Sequence, residues 1–429
     1  MTHATSTNCI FPVTNFTQLK NNVLNWANRF SIFCFLDNHE YRSPLNSIEC
    51  VLAAGVRSCV KFRQGNGLEQ LQQFISEKSG WLFGHLAYDL KNEIEHTISS
   101  HDDHIDFPNL FFFQPEILIR FNKKELIIES SGKDEQKILD EILSVQPSNQ
   151  PTPQSIRFSN RIQRQEYIAI IEELKQHILR GDCYEINFCQ EFYAENVIID
   201  PLNVYRKLSI ISPNPFSALY RLNDTYLICA SPERFLKKTG TKIISQPIKG
   251  TSRRSRDTTR DDQDKNKLLN SSKERSENVM VVDLVRNDLS KVCIEGTVKV
   301  DELYGLYSFP QVHQMISTVS GILNSDVLFN EIIRATFPMG SMTGAPKKNV
   351  LDLIEKYEKT KRGIFSGALG YITPDGDFDL NVVIRSITYN AANRYLSFQT
   401  GSGITFYCNA KKEWKECLLK AQALMQALG

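Results

Sequence analysis

No run of apolar residues in this sequence approaches the ~20 that a membrane-crossing helix needs. Neither sign of charge is in excess: 50 lysines and arginines stand against 49 aspartates and glutamates, a formal net charge of +1. The first absence argues against a helical membrane span. The second argues against the basic footprint by which proteins hold nucleic acid or another polyanion. Met1 to Phe11 lacks the basic-then-apolar order of a secretory signal. The ten cysteines are scattered singly, with no C-x-x-C pair, so zinc and dithiol redox motifs find no support. A chain of 429 residues has no need of disulfides to hold its core. The expectation is a cytoplasmic protein with reduced, mostly buried thiols. What is present in quantity is apolar material, 41% hydrophobic and 10% aromatic residues. That is enough for a large core and excludes disorder of the whole chain.

One composition shift divides the chain. Val145 to Ser155 reads VQPSNQPTPQS, with three prolines and no apolar residue after Val145, a linker signature. It sets an N-terminal region, 1–145, and a linker, 146–155, apart from a C-terminal region, 156–429. In the N-terminal region Phe30–Leu36, Trp81–Tyr88 and Glu116–Phe121 read as strands. Leu126–Ile128 follows a polar turn and suggests a hairpin. The cluster His101, Asp102, Asp103 and His104 reads as a solvated loop, because metal ligands need to be separated and held on rigid elements. The C-terminal region opens with a helix: Tyr167, Ile170, Ile171, Leu174, Ile178 and Leu179 recur at three and four, and Gly181 stands just past its end. Later, Gly367–Ile372, Leu380–Ile387 and Tyr395–Phe398 read as three strands joined by tight-turn residues and pairing antiparallel. A last helix runs from about Lys411 to Leu428.

Several residue patterns can carry chemistry. Glu274 and Glu277 lie on one helix, and Glu413 and Glu416 on another. Residues three apart share a helix face, and two facing carboxylate pairs can hold magnesium, which binds through one or two carboxylates plus substrate oxygens. On spacing alone the alternative is two exposed acidic faces, with Lys420 as a surface partner of Glu416. Gly340–Lys347 and Gly401–Ile404 are glycine-bearing loops that either let backbone amides approach a ligand or simply turn. Arg385 lies on an otherwise apolar strand, where it needs a carboxylate. Lys249, between Ile248 and Gly250, reads as a lysine in an apolar, tightly turned site, where it can lose its proton and become a nucleophile. Glu233, partly desolvated, can serve as a general acid.

The strings SPERF, PIKGTSRR, ERSENVMVVDLVRNDL, SFPQVHQMIS, GSMTGAPK, GIFSGALGYI, IRSI, GSGI and KEWKEC follow one another between Arg161 and Leu428. In that order they resemble the chorismate-utilising enzymes. The N-terminal region is more faintly similar to the corresponding region of the anthranilate and aminodeoxychorismate synthase large subunits. The resemblance implies an α+β fold of two stacked antiparallel β-sheets flanked by helices, with both halves of the sequence contributing strands. It implies Mg2+ held by Glu277 and Glu416, with Glu274 and Glu413 beside them. Lys249 would add to the ring while Glu233 protonates the departing hydroxyl. Arg385, Gly401, Gly403 and Lys420 would meet the substrate carboxylates, and Thr251 and His313 would line the pocket, with a structural role for His313 left open.

Members of this family differ in their nucleophile. Those that activate water carry a base lysine on the strand after the first helix, where this chain has Glu185. Those that form anthranilate have PIAGT, and those that form 4-amino-4-deoxychorismate have PIKGT, as here at Lys249. The resemblance therefore implies amination of chorismate at carbon 4, with anthranilate formation as the alternative and a non-catalytic chorismate-binding protein as a more remote one. The ammonia would come from a separate glutamine amidotransferase subunit or from solution.

Overall fold

The computed structural model describes residues 9–146 apart from 42, 44, 46 and 47, and residues 156–429 apart from 310 and 311. Most of the proline-rich stretch therefore lies outside the described residues. The fold is α+β, built on two antiparallel sheets of twelve and ten strands among the described residues. The first sheet runs from Cys9–Pro12 at one edge, through Ile32–Asp37, Phe216–Leu222, Thr225–Ser231, Ser386–Asn390 and Tyr395–Ile404, to Glu185–Ala194. The second runs from Ile248–Arg253 through Val312–Ile322, Arg234–Thr239, Phe378–Val382 and Ala368–Ile372 to Ser58–Phe62.

Both sheets take strands from either side of the proline-rich stretch. Ile32–Asp37 pairs with Phe216–Leu222, and Leu82–Leu86 pairs with Ala368–Ile372. The hairpin expected around Phe121 forms, with Phe121 opposite Leu126. Apolar side chains of the two sheets meet in one core: Cys34, Val51, Tyr220 and Leu227 from the first pack with Phe83, Phe113, Leu369 and Tyr371 from the second. The outer face of the first sheet buries Trp26, Tyr205 and Leu424 of the helices Phe16–Ala27, Pro201–Ile211 and Ala410–Leu428. The outer face of the second buries Leu71, Val282 and Ile333 of Gly67–Glu77, Ser272–Ser290 and Phe329–Thr336. Among the described residues no helix is long and apolar enough to cross a membrane.

One sequence expectation needs correcting. Leu380–Ile387 is not a single strand. Phe378–Val382 belongs to the second sheet and Ser386–Asn390 to the first. The three expected strands do pair antiparallel, but as two pairs in different sheets. Arg385 stands at the break with φ of 50°, a left-handed conformation that costs a non-glycine residue about 1 kcal/mol or more. The Val382–Val383–Ile384 run with Ile387 after it reads as one buried strand, and nothing local in it marks the crossing.

Candidate active site

Two places where the chain crosses between sheets lie side by side. Between Thr225–Ser231 and Arg234–Thr239 the chain passes from the first sheet to the second, and between Phe378–Val382 and Ser386–Asn390 it passes back. The pairings Cys229 with Ser386 and Arg234 with Asn381 make the crossings neighbours. Glu233 sits on one and Arg385 on the other. The Glu233 amide donates to Ser231 Oγ at 3.2 Å, and its carbonyl accepts from Val382 N at 3.0 Å. Its carboxyl is buried, and burial pushes its pKa up to about 7 against the opposing pull of Ser341, Lys249 and Arg385. Near neutral pH it therefore keeps a proton to give. Burial brings the Arg385 guanidinium down to about 10 against the pull of Glu233. That leaves Arg385 charged near neutral pH.

Lys249 lies on the edge strand Ile248–Arg253. The register against Val312–Ile322 shifts between Ile248 and Thr251, a bulge in which Gly250 takes φ of 95° and re-aims the lysine inward. Its Nζ donates to Glu185 Oε1 at 2.6 Å. Glu185 begins the strand Glu185–Ala194 and its other oxygen, Oε2, is buried without a hydrogen bond. The neighbours Ile248 and Gly250 suggested apolar surroundings, and the structure corrects this. Burial alone would lower the ammonium pKa, but Glu185 and Glu277 outweigh it and hold Lys249 above its usual range. The chain neighbours of Lys249 are apolar, but the groups across the cavity from it are not.

Gly403 forms the floor beneath this pair. A Cβ there would lie 2.8 Å from Glu185 Oε1, 3.0 Å from Lys249 Nζ and 3.6 Å from Glu277 Oε2. Any larger residue would enter the space where the three groups converge. Gly401 has a different reason to lack a side chain: Cys189 Sγ and the Phe188 carbonyl fill the room where a Cβ would go. Its carbonyl accepts from Lys420 Nζ at 2.9 Å, and Lys420 also meets Glu416 at 2.8 Å.

The two acidic helices present their first turns to this cavity. Ser271 caps Ser272–Ser290 by accepting from Glu274 N, and Asn409 caps Ala410–Leu428 by accepting from Lys412 N. The caps fix where each helix starts, so Glu274 and Glu413 fall in first turns, where the helix dipole favours negative charge. Glu277 and Glu413 are buried, and Glu277 Oε1 and Glu413 Oε2 carry no hydrogen bond. Burial pushes the Glu277 carboxyl up to about 7 although Lys249 and Lys273 pull it down. Burial also raises Glu274, whereas for Glu416 the pull of Lys420 and Lys273 outweighs burial and lowers it. Buried carboxylate oxygens without donors suit a hard divalent cation, so the residues present fit magnesium. The cradle is not gathered to ligand spacing, since no three of the four carboxylates lie within 4.8 Å of one another. Among the described residues the one trio of potential ligands that close is a different one, Asp37, Glu49 and Cys50, whose Asp37 is answered by Lys20 at 2.9 Å.

Other expected site residues fall elsewhere. Thr251 is exposed on the edge strand. His313 is buried, with Nδ1 2.8 Å from Ser308 Oγ and Nε2 3.2 Å from Asp261 Oδ1, so it ties strand Val312–Ile322 to helix Thr258–Leu269. Pro310 and Gln311 of its motif lie outside the described residues. His101 Nε2 donates to the Glu355 carbonyl, 2.8 Å away, and Asp103 caps its own loop by accepting from Ile105 N and Asp106 N. Sequence reasoning missed Lys273, whose Nζ lies 3.2 Å from Glu413 Oε1 and 3.6 Å from Glu277 Oε1. Its position four residues before Glu277 was a signal that could have found it.

The sequence pattern of one protein family, described as chorismate binding enzyme, matches residues 38–426. The chain is 33% identical over 371 residues to an anthranilate synthase component I-like protein of Synechocystis, covering 85% of this chain and 75% of the relative. It is 30% identical over 364 residues to aminodeoxychorismate synthase component 1 of Bacillus subtilis, covering 81% and 77%. The crystal structure of anthranilate synthase component I from Streptococcus pneumoniae superimposes with a TM-score of 0.78 at 25% identity, over 90% of this chain and 94% of that one.

Proposed function

The chain belongs to the chorismate binding enzyme family, and from that premise we propose that it is an aminodeoxychorismate synthase component I. It would convert chorismate and ammonia to 4-amino-4-deoxychorismate, the precursor of 4-aminobenzoate, with ammonia delivered by a glutamine amidotransferase partner. Relatives of comparable identity carry the names of both this enzyme and anthranilate synthase. The observation that carries the choice is the aim of Lys249: its amine ends above the Gly403 floor, beside Glu185 and within the field of Glu233 and Glu277. A chain forming anthranilate by the family's pattern has alanine at that position.

Arg385 and Lys420 supply charge for the two substrate carboxylates. Magnesium, held by Glu277 and Glu416 with Glu274 and Glu413 beside them, would neutralise and orient a substrate carboxylate. Lys249 must shed a proton before it can attack, and Glu185, 2.6 Å away, is the group placed to take it. The amine then bonds to ring carbon 2, both conjugated ring double bonds shift one position towards carbon 4, and the hydroxyl at carbon 4 leaves as water with the proton of Glu233. Ammonia bonds to carbon 4, both double bonds shift back, and the carbon–lysine bond breaks with its electron pair returning to the lysine nitrogen, which regains its proton from Glu185. The covalent stage divides one difficult displacement into two easier ones.

Incubation with chorismate, ammonium and Mg2+ tests the reading. The product is expected to keep its enolpyruvyl group, so pyruvate appears only after a 4-amino-4-deoxychorismate lyase is added. Fluorescent anthranilate with immediate pyruvate release would overturn the assignment in favour of anthranilate synthase. Without ammonia, intact-protein mass spectrometry is expected to show a chorismate-derived adduct on Lys249.

A further inference from the structure

The reaction just described uses every charged group of the cavity except Lys273. This residue stands in the first turn of Ser272–Ser290, and its ammonium bridges two carboxylates that come from different helices. One is Glu413 at 3.2 Å, on the last helix, and the other is Glu277 at 3.6 Å, one turn along its own helix. An ordinary surface pair has two exposed ends. Here the carboxylates are 2% and 8% exposed in their side chains, whereas the lysine is 39% exposed. The cation thus reaches inward from the rim to two anions that have no route outward. Glu274 and Glu416 act on the same ammonium. Five carboxylates, Glu185, Glu274, Glu277, Glu413 and Glu416, share the cavity with three ammonium groups, Lys249, Lys273 and Lys420.

We propose that Lys273 is a built-in counter-cation, seated between Glu277 and Glu413 on the Glu277 carboxylate that a divalent cation would also take, and displaced when that cation enters. The inference rests on the reading that the four glutamates take such a cation. An ammonium and a dication that both draw on Glu277 repel each other at this range in a partly dry site, so each weakens the other's hold on it. The exposed stem of Lys273 gives it a way out to solvent. The seated ammonium keeps two buried, like-charged helix ends docked when no metal is bound. It also weakens metal binding by the free energy of its own displacement, which makes the metal exchangeable.

The test is Mn2+ binding to the full chain at low ionic strength, read from the free Mn2+ signal in electron paramagnetic resonance. Wild type is compared with Lys273→Met, Lys273→Gln, Lys273→Arg and Glu277→Gln. Lys273→Met and Lys273→Gln are expected to bind Mn2+ about tenfold tighter or more, and Lys273→Arg to stay within about threefold of wild type. Metal-free Lys273→Met is expected to melt below wild type, with the gap closing at saturating Mn2+. Equal Mn2+ affinity in wild type and both neutral variants, with binding lost in Glu277→Gln, overturns the role of Lys273 and leaves the glutamate site standing. Binding that Glu277→Gln does not weaken overturns the metal site itself, and the inference with it.

Discussion

Arg362 and Lys249 are both buried cations paired with a glutamate, and both pairs meet the strand Glu185–Ala194. Arg362 donates to both oxygens of Glu358 and to the carbonyls of Met342 and Asn187, while Glu358 accepts from Cys189 N. Lys249 makes one hydrogen bond, to Glu185, whose second oxygen has none. A pair with all its capacity used locks a turn against a strand and has nothing to offer a ligand. A pair with capacity left over, above a glycine floor and beside a carboxyl pushed to about 7, is held ready for a reactant. Burial and charge alone do not separate the two, but unused hydrogen-bonding capacity does.

The comparison breaks most visibly at Lys249. Lys249→Ala is expected to lower turnover on the order of 10^4-fold or more, with urea unfolding showing that the chain still folds cooperatively. Glu233→Gln removes the acid for the leaving hydroxyl and is expected to cost about 10^2- to 10^4-fold in kcat, read in the same coupled assay. Arg362→Met leaves Glu358 buried without its partner and is expected to cost about 3–5 kcal/mol of stability, with turnover per folded molecule within tenfold of wild type. Lys249→Met should cost less stability than this, since it releases a single hydrogen bond. The smallest effect concerns pH. Folded Glu233 keeps its proton up to about pH 7, whereas the unfolded chain releases it near 4.5. Folding therefore takes up a proton, and stability falls as pH rises through that window, by at most about 3 kcal/mol. Glu233→Gln is expected to unfold at higher urea than wild type at pH 8 and to lose that advantage at pH 4.

Much of the site was legible because its residues sit in strings whose order and spacing are distinctive. The two acidic pairs, the lysine after Ile248 and the glutamate after Pro232 were all found as candidates. Gly403 was named for backbone approach, whereas its use in the structure is to leave room for Glu185 and Lys249. Arg385 was placed on a strand and lies instead at a crossing between sheets, because a Val–Ile run carries no mark of where it changes partner. His313 was weighed as a pocket residue, and its ring lies between Ser308 and Asp261. Lys273 was not among the candidates: its spacing of four to Glu277 was visible, but its contact with Glu413 depends on a helix 140 residues away.

By itself the sequence determined the kind of matter present: an α+β chain with capped acidic helices, strands dense in apolar residues, and a set of motifs that commits it to one enzyme family. These follow from local rules of spacing, capping and composition, which act over a few residues. Only the tertiary structure decided which charges meet. Glu185 and Lys249 are brought within 2.6 Å, and Lys273 is set between Glu277 and Glu413, by sheets that join distant parts of the chain. The protonation and reactivity of each group depend on those neighbours and on how little water reaches them, and neither is written in the residues beside it.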